Sequence, residues 1–270
     1  MTPPSSQPTE PTFWRDAALP FIEARAIADG RALRYGRHAH RTLSVGAVTG
    51  GRSSYLNGHA VEPIGAGALV VVNPDTVHAC NPADAAPWSY RMFYLDPAWL
   101  ASLRHDERPF RPFLATWTMR ADLFDGLNRL YGLLTNPHAD ALQKHGAAID
   151  YFSALQRALD PAPPPRREPN RRLARAAEYI DDNYTQPLKL DDICAAANLS
   201  ASYLVRAFKA RYGMTPHAYM VNRRIEFSRA QLRRGRAIAE VAAAAGFADQ
   251  AHLQRAFRQF VAATPGRYRG

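Results

Sequence analysis

The sequence predicts a two-domain α+β protein, with a β-rich N-terminal domain and an all-α C-terminal domain. Three observations carry that prediction. Residues 21–95 hold short β-branched and aromatic runs punctuated by Gly and Pro. Residues 160–170, DPAPPPRREPN, put five prolines into eleven positions, a stiff break between two kinds of text. From Asn170 onward the apolar residues recur at helical spacing, and one block is written twice.

Charge divides the chain at nearly the same place. Of the net +10 carried by 270 residues, residues 168–270 supply +8, from 17 Lys+Arg and 9 Asp+Glu. A basic half beside a near-neutral one points to an anionic partner for the second half alone. Cys80 and Cys194 stand far apart among apolar or small neighbours, which excludes a disulfide framework and a zinc spacing. The opening MTPPSSQPTEPTFW has no basic stretch leading into an apolar core, so it is not read as a signal peptide. No run approaches the ~20 apolar residues of a membrane helix. A cytoplasmic location without membrane association is therefore expected. Residues 1–12 read as a disordered tail, 13–160 as the first domain, 161–169 as the linker and 170–270 as the second domain.

Within the first domain, LSVGAVT (43–49), ALVVVN (68–73) and SYRMFYL (89–95) read as strands. Asn57-Gly58 suits a two-residue hairpin turn. After Pro97 the period changes. Leu123, Leu127, Leu130 and Leu134 mark one amphipathic helix. Leu142, His145, Ile149, Phe152, Leu155 and Leu159 mark a second, separated from the first by Asn136-Pro137.

In the second domain, RAFKARYGMTPHAY from Arg206 returns as RAFRQFVAATPGRY from Arg255. Leu190, Ile193 and Leu199 match Ile238, Val241 and Phe247. Leu204, Arg206, Phe208, Thr215, Pro216 and Tyr219 match Leu253, Arg255, Phe257, Thr264, Pro265 and Tyr268, with one residue added in the turn. Each copy reads as helix, short turn, helix, so the domain carries tandem helix-turn-helix motifs. Asp191 and Asp192 suit a helix start. Asn198 suits a left-handed break, and Ser200 an N-cap. Pro216 and Gly235 bound a single long helix between the copies. That helix would hold two reader helices in successive major grooves of double-stranded DNA.

Leu204 and Phe208, and Leu253 and Phe257, take the buried face of each second helix. Ser202, Val205, Arg206 and Lys209 are left toward the duplex, and in the second copy Gln250, Ala251, Gln254, Arg255 and Arg258. Arg pairs with guanine and Gln with adenine through two hydrogen bonds. Lys209, Arg211 and Arg258 lie further along and suit phosphates.

These residues resemble the AraC family of bacterial transcription regulators over about residues 170–270. AIAEVAAAAGFADQAHLQRAFRQFVAATPGRYR is the most specific stretch. The resemblance implies that Ser202, Val205 and Arg206, then Gln250, Ala251, Gln254 and Arg255, are base-proximal. Two positions depart from the family pattern: Asn198 stands where Gly is common, and FVAATP replaces Phe-Gly-x-Ser/Thr-Pro.

The first half resembles the cupin-like sensor barrel often fused to such a module, on RHAHRTLSVGAVTGGRSSYLNG and PIGAGALVVVNPDTVHACNP. His38, His40 and His78 sit like the histidines of a metal cupin. Leu43, Ser44 and Val45 occupy the neighbourhood of its usual glutamate, which weakens a metal site. No cofactor is expected. His40, Tyr55, His78, Trp88 and Tyr90 are the candidates to line a small-molecule pocket. Arg91, on the opposite side of its strand from Tyr90, is expected to meet the other domain. The resemblance further implies a homodimer, with Leu127, Leu130, Tyr131 and Leu134 as pairing residues, and contact with RNA polymerase. The expected function is a ligand-controlled transcriptional activator that is not an enzyme. The alternative is a metal-dependent cupin enzyme or metal sensor fused to a DNA-binding module.

Overall fold

Strands with one apolar face need a second layer, and the first half of the chain supplies it twice, once with helices and once with another sheet. The computed structural model describes residues 10–104, 109–159 and 170–270. The linker at 161–169 and residues 1–9 of the expected tail lie outside the described residues. Thr12, assigned to that tail, instead opens a strand. The chain divides into two compact units: Met1–Leu33 with His40–Pro164, and Arg34–Ala39 with Pro165–Gly270.

The first unit holds a six-stranded antiparallel sheet, ordered β1-β2-β8-β3-β6-β9. Its strands are Thr12–Trp14 (β1), Ile22–Ile27 (β2), Leu43–Gly50 (β3), Leu69–Val72 (β6), Ser89–Leu95 (β8) and Trp117–Thr118 (β9). A three-stranded sheet, ordered β5-β4-β7, combines Arg52–Asn57 (β4), Ala60–Gly65 (β5) and His78–Pro82 (β7). Asn57 pairs with Ala60, so the hairpin turn is Gly58-His59, one position later than expected. Gly58 takes the positive φ that such a turn requires, at 60°.

Register sorts the large sheet into two faces. Ala24 and Val45 both stand opposite Phe93, and Ile22 and Leu43 opposite Leu95. This apolar face packs on Ala121–Thr135 (α2) and Ala141–Ala158 (α3); a short helix, Pro97–Ser102 (α1), adds Leu100. The four leucines expected on α2 are all in this core.

On α3 the expected stripe meets the core in its second half, at Phe152, Leu155 and Leu159, and not in its first. Leu142 is 82% exposed and Ile149 37%, while Lys144, Ala148, Phe152 and Leu155 are buried. Lys144 fills an inward position by laying its stem beneath Trp14, with its ammonium 5.6 Å from that ring and 3.5 Å from the Asp16 carboxylate. Asp140 starts the helix with a capping box, accepting from the Gln143 N–H at 2.8 Å.

This packing corrects one further expectation and gives Arg91 partners within its own unit. Leu127, Leu130 and Leu134 are 0, 3 and 0% exposed, so they are spent inside the chain and do not form a pairing face. Tyr131 is occupied as well: it packs on Phe93, and the Arg91 guanidinium lies 4.8 Å from its ring centre. Arg91 also donates to Asn128 Oδ1 at 2.7 Å. It therefore belongs to the α2 side of its own unit. Leu127→Ala should cost about 3 kcal/mol of stability through transfer and cavity terms, read by chemical denaturation. Unchanged stability with lost self-association would restore a pairing role.

The second unit contains Arg171–Asn183 (α4), Leu190–Ala197 (α5), Ala201–Tyr212 (α6), Pro216–Arg233 (α7), Ile238–Ala244 (α8), Gln250–Val261 (α9) and Pro265–Arg269 (α10). Its repeated Thr-Pro is the same device both times. Thr215 accepts from the Ala218 N–H at 3.2 Å and Thr264 from the Arg267 N–H at 3.1 Å, with proline first in each helix. Gly235, at φ 79°, follows the end of α7. The segment Arg34–Ala39 completes the unit. Asn222 of α7 accepts from the Ala39 N–H at 3.2 Å and donates to its carbonyl at 2.9 Å. The Gly36 N–H donates to the Gln259 carbonyl at 2.8 Å.

Both departures from the family pattern fall on left-handed backbone: Asn198 at φ 51° and Ala262 at φ 50°. Asn tolerates that region better than Ala. Ala262→Gly should therefore raise stability by about 0.5 kcal/mol, the relief of left-handed strain outweighing the added unfolded-state entropy. The shift in Tm measures it, with Asn198→Gly as a near-neutral comparison.

Candidate functional site

The reader helices are built on short turns. In the first motif α5 ends at left-handed Asn198, and α6 begins after Ser200, whose side chain makes no capping bond. In the second, α8 and α9 are separated by a turn containing Gly246 at φ 79°, and Asp249 caps α9 by accepting from the His252 N–H at 2.6 Å. Leu204 and Phe208, and Leu253 and Phe257, are fully buried, so each helix has a fixed inner face.

The outer faces follow. Ser202, Arg206 and Lys209 are exposed along one side of α6, with Val205 half-buried beside them. On α9, Gln250, Ala251, Arg255 and Arg258 are exposed and Gln254 is half-buried. Arg206 and Arg255 thus occupy the same exposed position in the two copies. Arg211 is exposed at the far end of α6. The structure adds Tyr203, 45% exposed in the first turn of α6; an aromatic residue there gives no signal in a helical pattern.

The barrel's inner face is a second candidate site, between the two sheets. The His40 ring, 4.7 Å from His78 on the small sheet and 5.5 Å from Tyr94 on the large one, shows which faces meet. All five expected pocket residues are buried: His40 1%, Tyr55 1%, His78 7%, Trp88 1% and Tyr90 5% exposed. They form two groups and a brace. His40 and His78 are one group. Trp88, its ring centre 4.8 Å from that of Tyr90 and tilted 40° to it, forms the other. Tyr55 is the brace, donating its hydroxyl to the Val71 carbonyl at 2.8 Å across the barrel. Burial pushes that phenol well above its ordinary pKa and raises the Cys80 thiol to about 11, so both stay neutral.

The sequence reading missed Arg25, Glu23, Ser44, Asn57 and Tyr94 on this face. Arg25 is 2% exposed, its guanidinium 5.4 Å from the Phe13 ring centre and 6.0 Å from that of Tyr90. Glu23 accepts from Arg15 at 2.8 Å. The Trp88 indole N–H is buried without a hydrogen-bond partner among the described residues. The alternation of strand β2 carries the only signal for Arg25 and Glu23, since both fall on the side opposite Ile22 and Ala24.

The histidines have local work. His40 Nδ1 lies 2.9 Å from the Thr42 carbonyl, so the proton sits there. In the neutral ring, Nε2 then accepts from the Ser44 hydroxyl at 3.2 Å. His78 Nδ1 donates to the Thr76 carbonyl at 2.9 Å. No carboxylate joins His40 and His78 among the described residues. His38 belongs to the Arg34–Ala39 segment, where its Nδ1 donates to the Gly36 carbonyl at 2.9 Å.

Comparison with known families matches residues 21–148 to the AraC-like ligand binding domain and residues 193–270 to a helix-turn-helix domain. The chain belongs to the AraC family of transcriptional regulators. This AraC-family chain is 24% identical over 229 residues to the HTH-type transcriptional regulator YbfI of Bacillus subtilis, covering 82% of each protein. It is 31% identical over 101 residues to the regulator MtrA of Neisseria gonorrhoeae, a match covering 37% of this chain and 34% of that one. In fold it is similar to ToxT of Vibrio cholerae, with a TM-score of 0.59 at 12% identity, covering 92% of this chain and 96% of that one. A second ToxT structure, with unsaturated fatty acid bound, gives 0.56 at 11% identity and covers 98% and 96%.

In this AraC-family regulator, Arg206→Ala and Arg255→Ala should each relax preference at one base step, by about 1–3 kcal/mol, with the fold intact. Competition binding against single-base variants of the target reads this. A uniform loss on every sequence, with a shallower salt slope, would instead make these arginines phosphate contacts.

Proposed function

We propose that the chain is a transcriptional activator whose two reader helices bind one operator and whose barrel holds a small effector between its sheets. The observation that carries the effector reading is the split of the large sheet. Its apolar face is spent on α2 and α3. Its other face carries Arg25, Tyr90 and Tyr94, and Trp88, just before β8, lies against Tyr90 with an indole donor that is buried without a partner among the described residues. An apolar core needs no such donors, whereas a ligand site does. Effector binding biases one state of the protein and so changes DNA occupancy. By the same reading the protein acts in the cytoplasm, works as a homodimer, engages RNA polymerase and catalyses no reaction. No helix is long and apolar enough to cross a membrane among the described residues.

The test has two parts. Selection from random DNA with the full chain should recover a site with two contacted segments about one helical turn apart. A thermal-shift screen of small metabolites on the full chain should then find a compound that raises Tm and changes affinity for that site. Trp88→Phe should weaken the compound while leaving DNA binding without it unchanged. Stoichiometric divalent metal in the purified chain would replace the small-molecule reading by the metal-dependent one. Failure of selection would remove the two-reader reading.

A further inference from the structure

The α7 helix separates the two motifs, yet a helix alone does not fix the angle between them. Its C-terminal joint, Arg234–Ala237, is exposed throughout and includes Gly235 in left-handed backbone. The second motif hangs from that joint. We propose that Arg224 is the positioning residue that sets the geometry between the two readers, and thereby the base-pair spacing the protein accepts. This rests on the two-reader reading above.

Arg224 lies in the middle of α7 and is 7% exposed. Its guanidinium reaches both motifs at once. Toward the first, Nε donates to the Tyr184 carbonyl at 2.6 Å and one terminal nitrogen to the Gln186 carbonyl at 2.9 Å, in the connection from α4 to α5. Toward the second, the other terminal nitrogen donates to the carbonyl of Gly246, in the turn between α8 and α9. A planar fork of donors suits three carbonyls converging from two segments; a lysine ammonium, compact on a flexible stem, does not reproduce it.

The carbonyls themselves meet closely. A Cβ on Gly246 would stand 2.4 Å from the Thr185 oxygen and 2.9 Å from its carbonyl carbon. The turn of the second motif therefore sits directly against the loop that supports the first. The Phe247 ring, 5.9 Å from the guanidinium carbon, closes the seam beside it. Apolar packing of Val241, Leu253 and Phe257 holds the second motif together. The Arg224 side chain ties that motif to the first.

The test compares binding to the selected duplex with binding to the same duplex after one base pair is inserted or removed between its contacted segments. The wild type should lose at least about tenfold on either change, as for a mismatched site. In Arg224→Lys that penalty should shrink to about threefold or less, with single-base preference inside each segment retained, because each reader is intact and their relation is loosened. Gly246→Ala disturbs the seam from its other side and should show the same tolerance; it carries the test if Arg224→Lys does not fold. Loss by one common factor on every spacing would overturn the inference and leave Arg224 a stabilising residue. Wild-type indifference to spacing would overturn it too.

Discussion

A helix buried around most of its circumference must bring polar partners for every polar side chain it hides, and the reader unit depends on α7 meeting that condition. Met220, Ile225 and Leu232 are buried there beside Asn222, Arg223, Arg224 and Ser228. An unmatched buried guanidinium costs several kcal/mol even after relaxation. Each of these groups is matched. Asn222 holds both backbone groups of Ala39, Arg223 pairs with Asp181 at 2.8 Å, and the Ser228 hydroxyl donates to the Arg224 carbonyl at 2.7 Å. Desolvation lowers the Arg224 pKa from its ordinary value, and guanidinium groups begin so high that the charge persists. Apart from the Arg224 carbonyl of α7 itself, the partners are backbone groups of neighbouring connections and the Asp181 carboxylate of α4, so satisfying α7 and arranging its neighbours are one event.

Much of the second half was legible because its signals are local. A duplicated Thr-Pro, an apolar pair four residues apart and a residue suited to left-handed backbone each act within one turn of helix. They locate α6, α7, α9 and α10 without tertiary information. Arg224 was invisible for the opposite reason. In NRRIEF it reads as one more basic residue on a helix, and its three carbonyl partners lie 22 to 40 positions away.

The first half was legible in its strands and less so in its helices. SYRMFYL coincides with β8. The first half of the α3 stripe failed because Leu142 and Ile149 keep helical spacing on a side that no described residue covers, while a lysine takes an inward position. Helical period alone does not say which of two stripes meets the sheet. The pocket residues found in advance were those with rings. The missed ones, Arg25, Ser44 and Asn57, look like outward-facing residues until the two sheets face one another.

Strand β8 alternates between two duties. Arg91, Phe93 and Leu95 serve the helical side, and Tyr90, Met92 and Tyr94 the interior. Because neighbouring positions answer to different surroundings, substitutions at 90, 92 and 94 can accumulate without disturbing what holds the domain together. Chemical taste in such a sensor can drift while its architecture is inherited intact. A single-residue insertion would exchange the two roles and forfeit both at once.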